Sequence, residues 1–361
     1  MRMAISPDPV RRPPPAGDAT PDHGFHPLRV RAVEWETDEA ATLVLDVAPE
    51  LGPAYRYAAG QFLTFRVRID GQAHLRSYSM SSSPAVDADL KVTVKRVPGG
   101  LVSNWLLDTL AAGDVLEATA PAGVFCLGPG GGDVVAFSAG SGITPVISLV
   151  KAALATTPRR VHLLYANRAP DAVIFADELA ALADHWPDRL RTVHRYDVEH
   201  GFVDAVVVEG FCGEVTDAEY YICGPGPFMD VVEGALHRAG VPAEDIHIER
   251  FTPAEAPPPP PEPDEAAAAE VTIELGGRVG TVTHRPGTTV LQTARQLGLA
   301  PPSSCEAGNC ATCMAKLVEG SVVMHANNAL TDEEVEEGWV LTCQAVPTSS
   351  AVRIVYDPEE A

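Results

Sequence analysis

Four cysteines toward the C-terminus, Cys305, Cys310, Cys313 and Cys343, run as C-x4-C-x2-C followed by one distant cysteine. Spacing of this kind holds a plant-type 2Fe-2S cluster in thiolate ligands. It constrains the fold strongly, because the fourth thiol, 30 positions after Cys313, reaches the other three only if the chain turns back on itself. The stretch Ser304 to Met314 reads as a tight loop. Its small residues Ala307, Gly308, Ala311 and Thr312 let backbone amides approach the cluster sulfurs, which helps set the potential. A tetrahedral zinc knot is the competing use of four thiolates, but such sites pair two short knuckles or recruit histidine, and only one short knuckle is present.

A chain of 361 residues is longer than a single core usually grows, so about two or three domains are expected. The three remaining cysteines, Cys126, Cys212 and Cys223, form no paired framework and read as thiols in a reducing cytoplasm. Residues 1–24 are Pro-rich, lack the apolar centre of a signal peptide and read as a disordered tail. Val134 to Ala155 is apolar enough to resemble a membrane span, but Gly140, Gly142 and Pro145 interrupt it and Lys151 charges it, so strand, loop and helix are expected instead. The formal net charge of −23 disfavours nucleic acid and acidic membrane surfaces and suits a partner with a basic patch.

Residues 253–270, with PPPPPEPDEAAAAE, cannot build a core and read as an acidic spacer. Residues 25–128 alternate in short strand-like runs such as TLVLDV and LKVTVKRV between Gly and Pro turns, which predicts an antiparallel β-barrel. From 129 to 252 apolar strands VVAFSA, VHLLYA and YYIC alternate with helical stretches, predicting a doubly wound parallel α/β sheet. In 271–361 two strands and a helix precede the cysteine loop, a small β-grasp pattern.

Three motifs carry further chemistry. Gly140-Ser141-Gly142-Ile143-Thr144-Pro145 lies between a buried strand and a helix whose first turn can begin at Pro145. Glycines there admit a pyrophosphate to the backbone and to the helix N-terminus, although a strand-to-helix turn without ligand has the same composition. Arg76-Ser77-Tyr78-Ser79 presents a guanidinium, an aromatic plane and a hydroxyl, a set suited to a flavin but also found in ordinary strands. Cys223-Gly224-Pro225-Gly226-Pro227-Phe228-Met229 follows a strand at the carboxyl edge of the sheet, where open α/β folds bind ligands.

RSYS, GSGITP, CGPGPFM and the later ERF, in that order and spacing, resemble the flavin and nicotinamide signatures of the ferredoxin-NADP reductase superfamily. With the cysteine segment at the end, the stretch from about Phe25 to Tyr356 is similar to reductase components of bacterial oxygenases. KVTVKRVPGGLVSNWL, LLYANR, VPAEDIHIERF and GWVLTCQA most resemble the reductases serving 3-ketosteroid 9α-hydroxylase and phenylacetyl-CoA epoxidase. The resemblance implies that Arg76, Tyr78 and Ser79 hold FAD, that Lys95 and the turn Gly100, Val102 and Ser103 contact the flavin and its pyrophosphate, and that Thr144 sits beside the ring. It implies that Gly140, Gly142, Cys223, Gly224 and Pro225 frame the nicotinamide nucleotide and that Glu249 and Phe251 close over the flavin. Ser79, Thr144, Cys223 and Glu249 are thereby the candidate catalytic residues, with Cys305 and Cys310 on one iron and Cys313 and Cys343 on the other.

Arg168, after VHLLYA, stands where a 2'-phosphate is read, yet the resemblance points to NADH, with NADPH the alternative. The expected reaction passes electrons from the nucleotide through FAD and the cluster to a terminal oxygenase of the Rieske type, from a monomeric chain. Segment 271–361 holds eleven acidic residues against five basic ones, so an acidic face can steer that encounter; the helix TDEEVEE is equally a solvated face. The rival readings are an iron-sulfur sensor with an inactive reductase half and a general diaphorase.

Overall fold

The structure, a computed structural model, describes residues 25–213, 215, 217–251, 269–299, 301–303, 306, 308, 311–327 and 329–356. The expected tail, nearly all of the expected spacer, and Cys305 and Cys310 lie outside the described residues.

The first unit is built from β1 (Phe25–Thr37), β2 (Ala40–Asp46), β3 (Phe62–Ile69), β4 (Gln72–Ser79), β5 (Leu90–Lys95), α1 (Leu101–Thr109) and β6 (Val115–Thr119). Its strands pair in the order β4-β3-β6-β1-β2-β5, all antiparallel. A bridge from Met80 to Val92 closes β4 back onto β5 and makes the sheet a barrel. Period-two alternation sends Leu43, Leu45, Phe65, Val67, Val92 and Val94 inward, where α1 adds Val102, Leu106 and Leu107.

The second unit contains β7 (Asp133–Ala139), α2 (Ile143–Thr156), β8 (Val161–Asn167), α3 (Ala176–His185), β9 (Leu190–Tyr196), α4 (Asp197–His200), α5 (Ala205–Cys212), β10 (Ala218–Cys223), α6 (Gly226–Arg238) and β11 (Ile246–Glu249). The sheet order is β11-β10-β7-β8-β9, parallel throughout. Helices cover both faces, so β7 is buried from Val134 to Ala139 and reads as a continuous apolar run. In α2 every residue from Ile143 through Leu154 is buried, because one side packs on the sheet and the other meets Ala40, Ala59 and Phe125 of the barrel unit. That double burial explains the span-like hydropathy, and no helix among the described residues is long and apolar enough to cross a membrane.

The third unit comprises β12 (Glu270–Leu275), β13 (Arg278–Thr283), α7 (Val290–Gln296), β14 (Met314–Glu319), β15 (Val322–Met324), α8 (Asp332–Glu336), β16 (Trp339–Leu341), β17 (Ala345–Pro347) and β18 (Ala351–Val355). Gly276 and Gly277, both at positive φ, make the two-residue turn of the β12–β13 hairpin. β18 runs parallel to β12 and antiparallel to β14, giving the mixed sheet of a β-grasp core.

Candidate functional site

Strand order reverses between β7 and β10: the chain leaves β7 toward β8 on one side and β10 toward β11 on the other. This is the switch point at which open α/β sheets bind ligands. Ser138 and Cys223 pair in register at the carboxyl ends of the two strands, so the GSGITP and CGPGPFM loops leave the sheet side by side. They touch so closely that a Cβ on Gly142 would stand 2.1 Å from the Cys223 carbonyl oxygen and 2.7 Å from the Gly224 nitrogen. Gly224 is confined in turn by Ala139 and Phe228. Gly140 adopts φ 53°, and its carbonyl accepts a hydrogen bond from the Tyr165 hydroxyl at 3.1 Å. A short 3-10 turn, Gly140–Gly142, leads into α2, which begins at Ile143; the start expected at Pro145 is two residues late, and Pro145 occupies the first turn, where its missing N–H costs nothing. Pro225 caps α6, so two helix N-termini, each a partial positive charge, flank the same crevice. Thr144 is buried and its hydroxyl donates to the Ser141 carbonyl.

The barrel presents its own residues toward this crevice. Lys95, at the end of β5, places Nζ 3.5 Å from where a Cβ of Gly140 would stand. Burial lowers the Lys95 pKa, with Glu39 opposing and Arg168 adding to the effect. Ser79, the last residue of β4, is buried, and its hydroxyl has no hydrogen-bond partner among the described residues. A buried hydroxyl left unpaired costs free energy and marks a place where a ligand atom would satisfy it. Tyr78 packs on Phe65 at 5.6 Å with its ring half-buried, and exposed Arg76 donates to the Leu75 carbonyl. Gly100, Val102 and Ser103 were expected in a turn; Gly100 is instead the N-cap residue of α1, and Val102 and Ser103 form its buried first turn, with the Ser103 hydroxyl accepting from the Val97 N–H. A flavin fits this set: an orphan hydroxyl, a cation, an aromatic face and a helix start.

Glu249 closes β11 opposite Cys223, buried at 7% exposure. Burial first, and the nearby Glu249 carboxylate second, push the Cys223 thiol pKa well up. Cys223 therefore stays protonated at neutral pH and offers contact rather than nucleophilicity. Phe251 is 40% exposed. Arg168 is largely exposed and its guanidinium lies 3.9 Å from Glu39 of the β1–β2 turn.

Sequence reasoning left two polar side chains of α2 without a role, and both tie it to its neighbours. The Ser148 hydroxyl donates to the Ser82 carbonyl at 2.6 Å and accepts from the Gly60 N–H. Lys151, 4% exposed, is held between Asp87 of the barrel unit at 2.8 Å and Glu178 of α3 at 2.9 Å. The signal was the one charge in a long apolar run.

In the third unit Cys313 and Cys343 are both buried, in a cluster with Leu291, Leu330 and Leu341. Thr342 ties them together: its N–H and hydroxyl both donate to the Cys313 carbonyl, and the Tyr356 hydroxyl in turn contacts Thr342 Oγ1 at 2.9 Å. Burial raises the Tyr356 pKa, and the hydrogen bond to Thr342 opposes it. Glu306, Gly308 and Ala311 take positive φ, curling the loop, and a Cβ on Gly308 would meet the Ala326 carbonyl at 2.7 Å. Gln344 and the Arg295–Glu306 ion pair brace the loop from outside. The two described thiols are thus buried in one cluster against which Ala311 packs, and thiolates are the ligands a 2Fe-2S centre takes.

Residues 29–126 match the model of an oxidoreductase FAD-binding domain, 137–234 that of an oxidoreductase NAD-binding domain, and 273–348 that of a 2Fe-2S iron-sulfur cluster binding domain. The chain is 40% identical over 337 residues to the 3-ketosteroid-9-alpha-monooxygenase, ferredoxin reductase component of Rhodococcus rhodochrous, covering 91% of this chain and 96% of that protein. It is 33% identical over 349 residues to a component of the 1,2-phenylacetyl-CoA epoxidase of Escherichia coli, covering 92% of this chain and 98% of that protein. Among solved structures, phthalate dioxygenase reductase superimposes with a TM-score of 0.59 at 25% identity, over 92% of this chain and 98% of that one.

Proposed function

Because the chain belongs to the family of ferredoxin reductase components of oxygenases, moving electrons from a nicotinamide nucleotide through FAD to a 2Fe-2S cluster, we propose that it supplies a Rieske-type oxygenase acting on a 3-ketosteroid. Identity of 40% to the Rhodococcus reductase against 33% to the epoxidase component, over near-equal coverage, supports the steroid assignment over the epoxidase one. The observation that carries the reading is the crevice where Gly142 lies against Cys223 and Gly224 while Lys95 of the barrel reaches Gly140.

Gly140, Gly142, Gly224 and Pro225, with the N-termini of α2 and α6, hold the nucleotide pyrophosphate. Tyr78 provides the stacking plane for the flavin, Arg76 pairs with its phosphate and Ser79 donates to its ring. Lys95 and the first turn of α1, from Gly100 through Val102 and Ser103, border the same cofactor. Thr144, Cys223, Glu249 and Phe251 shape the cavity in which nicotinamide meets flavin and keep water out. FAD, when bound, accepts a hydride and returns its electrons singly, which a 2Fe-2S centre requires. Cys305, Cys310, Cys313 and Cys343 hold that centre. The nucleotide is NADH: Glu39 beside Arg168 counters the charge that a 2'-phosphate would need. The chain acts as a monomer in the cytoplasm, divided at residues 25–128, 129–252 and 271–361, and the acidic third unit steers its partner, so delivery slows as salt rises.

The test is Cys343→Ser. NADH should still bleach the flavin and reduce ferricyanide, while the cluster signal in electron paramagnetic resonance and delivery to the oxygenase are lost. Delivery that survives the substitution refutes the chain of carriers. Parallel anaerobic titrations with NADH and NADPH read the nucleotide preference.

A further inference from the structure

NADH and two ferric-to-ferrous reductions yield NAD+, two ferrous centres and one proton. The hydrogen arrives with its electron pair; once both electrons have gone to the iron-sulfur centre, it remains as H+ and must reach solvent. If the RSYS segment holds the flavin, as proposed, this release falls near the junction where the barrel meets the fully buried stretch of α2.

A row of hydroxyls runs along that junction. Ser81 Oγ is 2.8 Å from Thr93 Oγ1, Thr93 Oγ1 is 2.7 Å from Thr42 Oγ1, and the Thr42 hydroxyl donates to Glu36 Oε1 at 2.6 Å. The three hydroxyl residues are buried, whereas Glu36 is half-buried and borders a surface depression with Trp35, Thr37 and Asp38. Ala41, Leu43, Met80, Val92 and Val94 fill the barrel core, so strand alternation turns Thr42, Thr93, Ser79 and Ser81 to the opposite face. On that face Ala40 packs into the core organised by α2. The inner end of the row is two positions from Ser79, the hydroxyl without a partner.

We propose that Ser81, Thr93, Thr42 and Glu36 conduct the proton released at the flavin to solvent, with Glu36 as its last protein acceptor. The proposal rests on the reading that the RSYS segment holds the flavin. Each hydroxyl both donates and accepts, so with Thr42 donating to Glu36, Thr93 donates to Thr42 and Ser81 to Thr93. In a single concerted shift along this orientation Ser81 Oγ takes up the released proton as its own passes to Thr93, that of Thr93 passes to Thr42 and that of Thr42 to the Glu36 carboxylate, so every hydroxyl stays neutral and Glu36 ends protonated, to lose the proton to solvent. Glu36 faces Glu34 on its own strand, Lys91 on β5 and Glu178 on α3. Burial foremost raises its pKa; the Thr42 hydrogen bond opposes this, Glu178 and Glu34 add to it, and Lys91 opposes it. The carboxyl is thereby brought closer to the pH at which it must load and unload.

The full chain, loaded with flavin and cluster and reduced anaerobically by NADH, is mixed with ferricyanide in weak buffer while an indicator dye follows proton release. Thr42→Val, Thr93→Val and Glu36→Gln should slow proton release and the coupled reoxidation by at least about tenfold. Thr42→Ser, which restores the hydroxyl, should recover the rate, and wild type should show a solvent deuterium isotope effect that the Val variants lose. Thr272→Val, which breaks the Thr272–Thr281 hydroxyl pair of the β12–β13 hairpin, is the control. A second readout needs no turnover: in the oxidised chain, infrared titration of the Glu36 carboxyl should give a higher midpoint in Thr42→Val, because the carboxylate loses its donor. Proton release within about twofold of wild type in all three variants, or an unmoved Glu36 midpoint, overturns the path. Wild type that NADH does not reduce overturns the functional reading and the path together.

Discussion

Ser79 shows how much one atom can reveal. A buried Oγ with no partner among the described residues is destabilising as it stands, and the proposed flavin ring beside it would supply the missing partner. Ser79→Ala should leave the unfolding free energy of the flavin-free chain within about 1 kcal/mol of wild type, or raise it, while slowing flavin reduction by NADH roughly five- to tenfold. Thermal unfolding and stopped-flow absorbance check the two halves. Spacing alone marked the four cysteines, whereas Ser79, Tyr78 and Arg76 suited a flavin by residue type and were singled out by the family resemblance. Ser148 and Thr42 escaped that kind of reading: their partners are 66 and 51 positions away, for Ser82 and Thr93 respectively, and only the folded register joins them.

At the scale of elements, the crevice depends on two loops that leave adjacent parallel strands and leave no room for a Cβ between them. Gly142 has φ −61° as a helix N-cap residue, so its requirement for glycine is one of space, not of backbone conformation. Gly142→Ala should cost about 1–3 kcal/mol of stability and weaken NADH binding, read by denaturant unfolding and by titration, because the Cys223 carbonyl has to move. Strand and helix order was legible because the alternating barrel runs, the apolar parallel strands and the glycine loops have distinct periods. α1 was not: nine residues after a Pro-Gly-Gly turn look like loop, and only its burial of Val102, Leu106 and Leu107 into the barrel makes it a helix. The helix expected before the cysteine loop is α7, seven residues long, and the reciprocal capping of Thr289 with Gln292 sets its beginning.

For the molecule as a whole, three histidines give a pH dependence of definite sign. His194, His247 and His284 all have pKa values lowered from 6.5, in each case chiefly by burial. The unfolded chain then binds more protons than the native one as pH falls below about 6.5, so stability is fully present above that value and declines through the range down to the folded pKa values. Melting temperatures measured from pH 8 to pH 5.5 should fall on the acid side, and His247→Phe should flatten part of the fall in the nucleotide-binding unit. The Pro-rich acidic stretch marks in the sequence only the boundary ahead of the third unit; the intimacy of the first two is not written there, because nothing in a linear sequence shows that Ala40, Ala59 and Phe125 complete the core around α2. The hydrophobic clusters of residues 269–356 draw on no upstream residue among those described. Gene fusions should respect this asymmetry. A chimera that replaces everything after residue 269 with a foreign cluster carrier should express as a folded hybrid, whereas a splice between barrel and nucleotide sheet would strip one side of α2 and yield insoluble product, leaving evolution one serviceable seam for exchanging electron outlets.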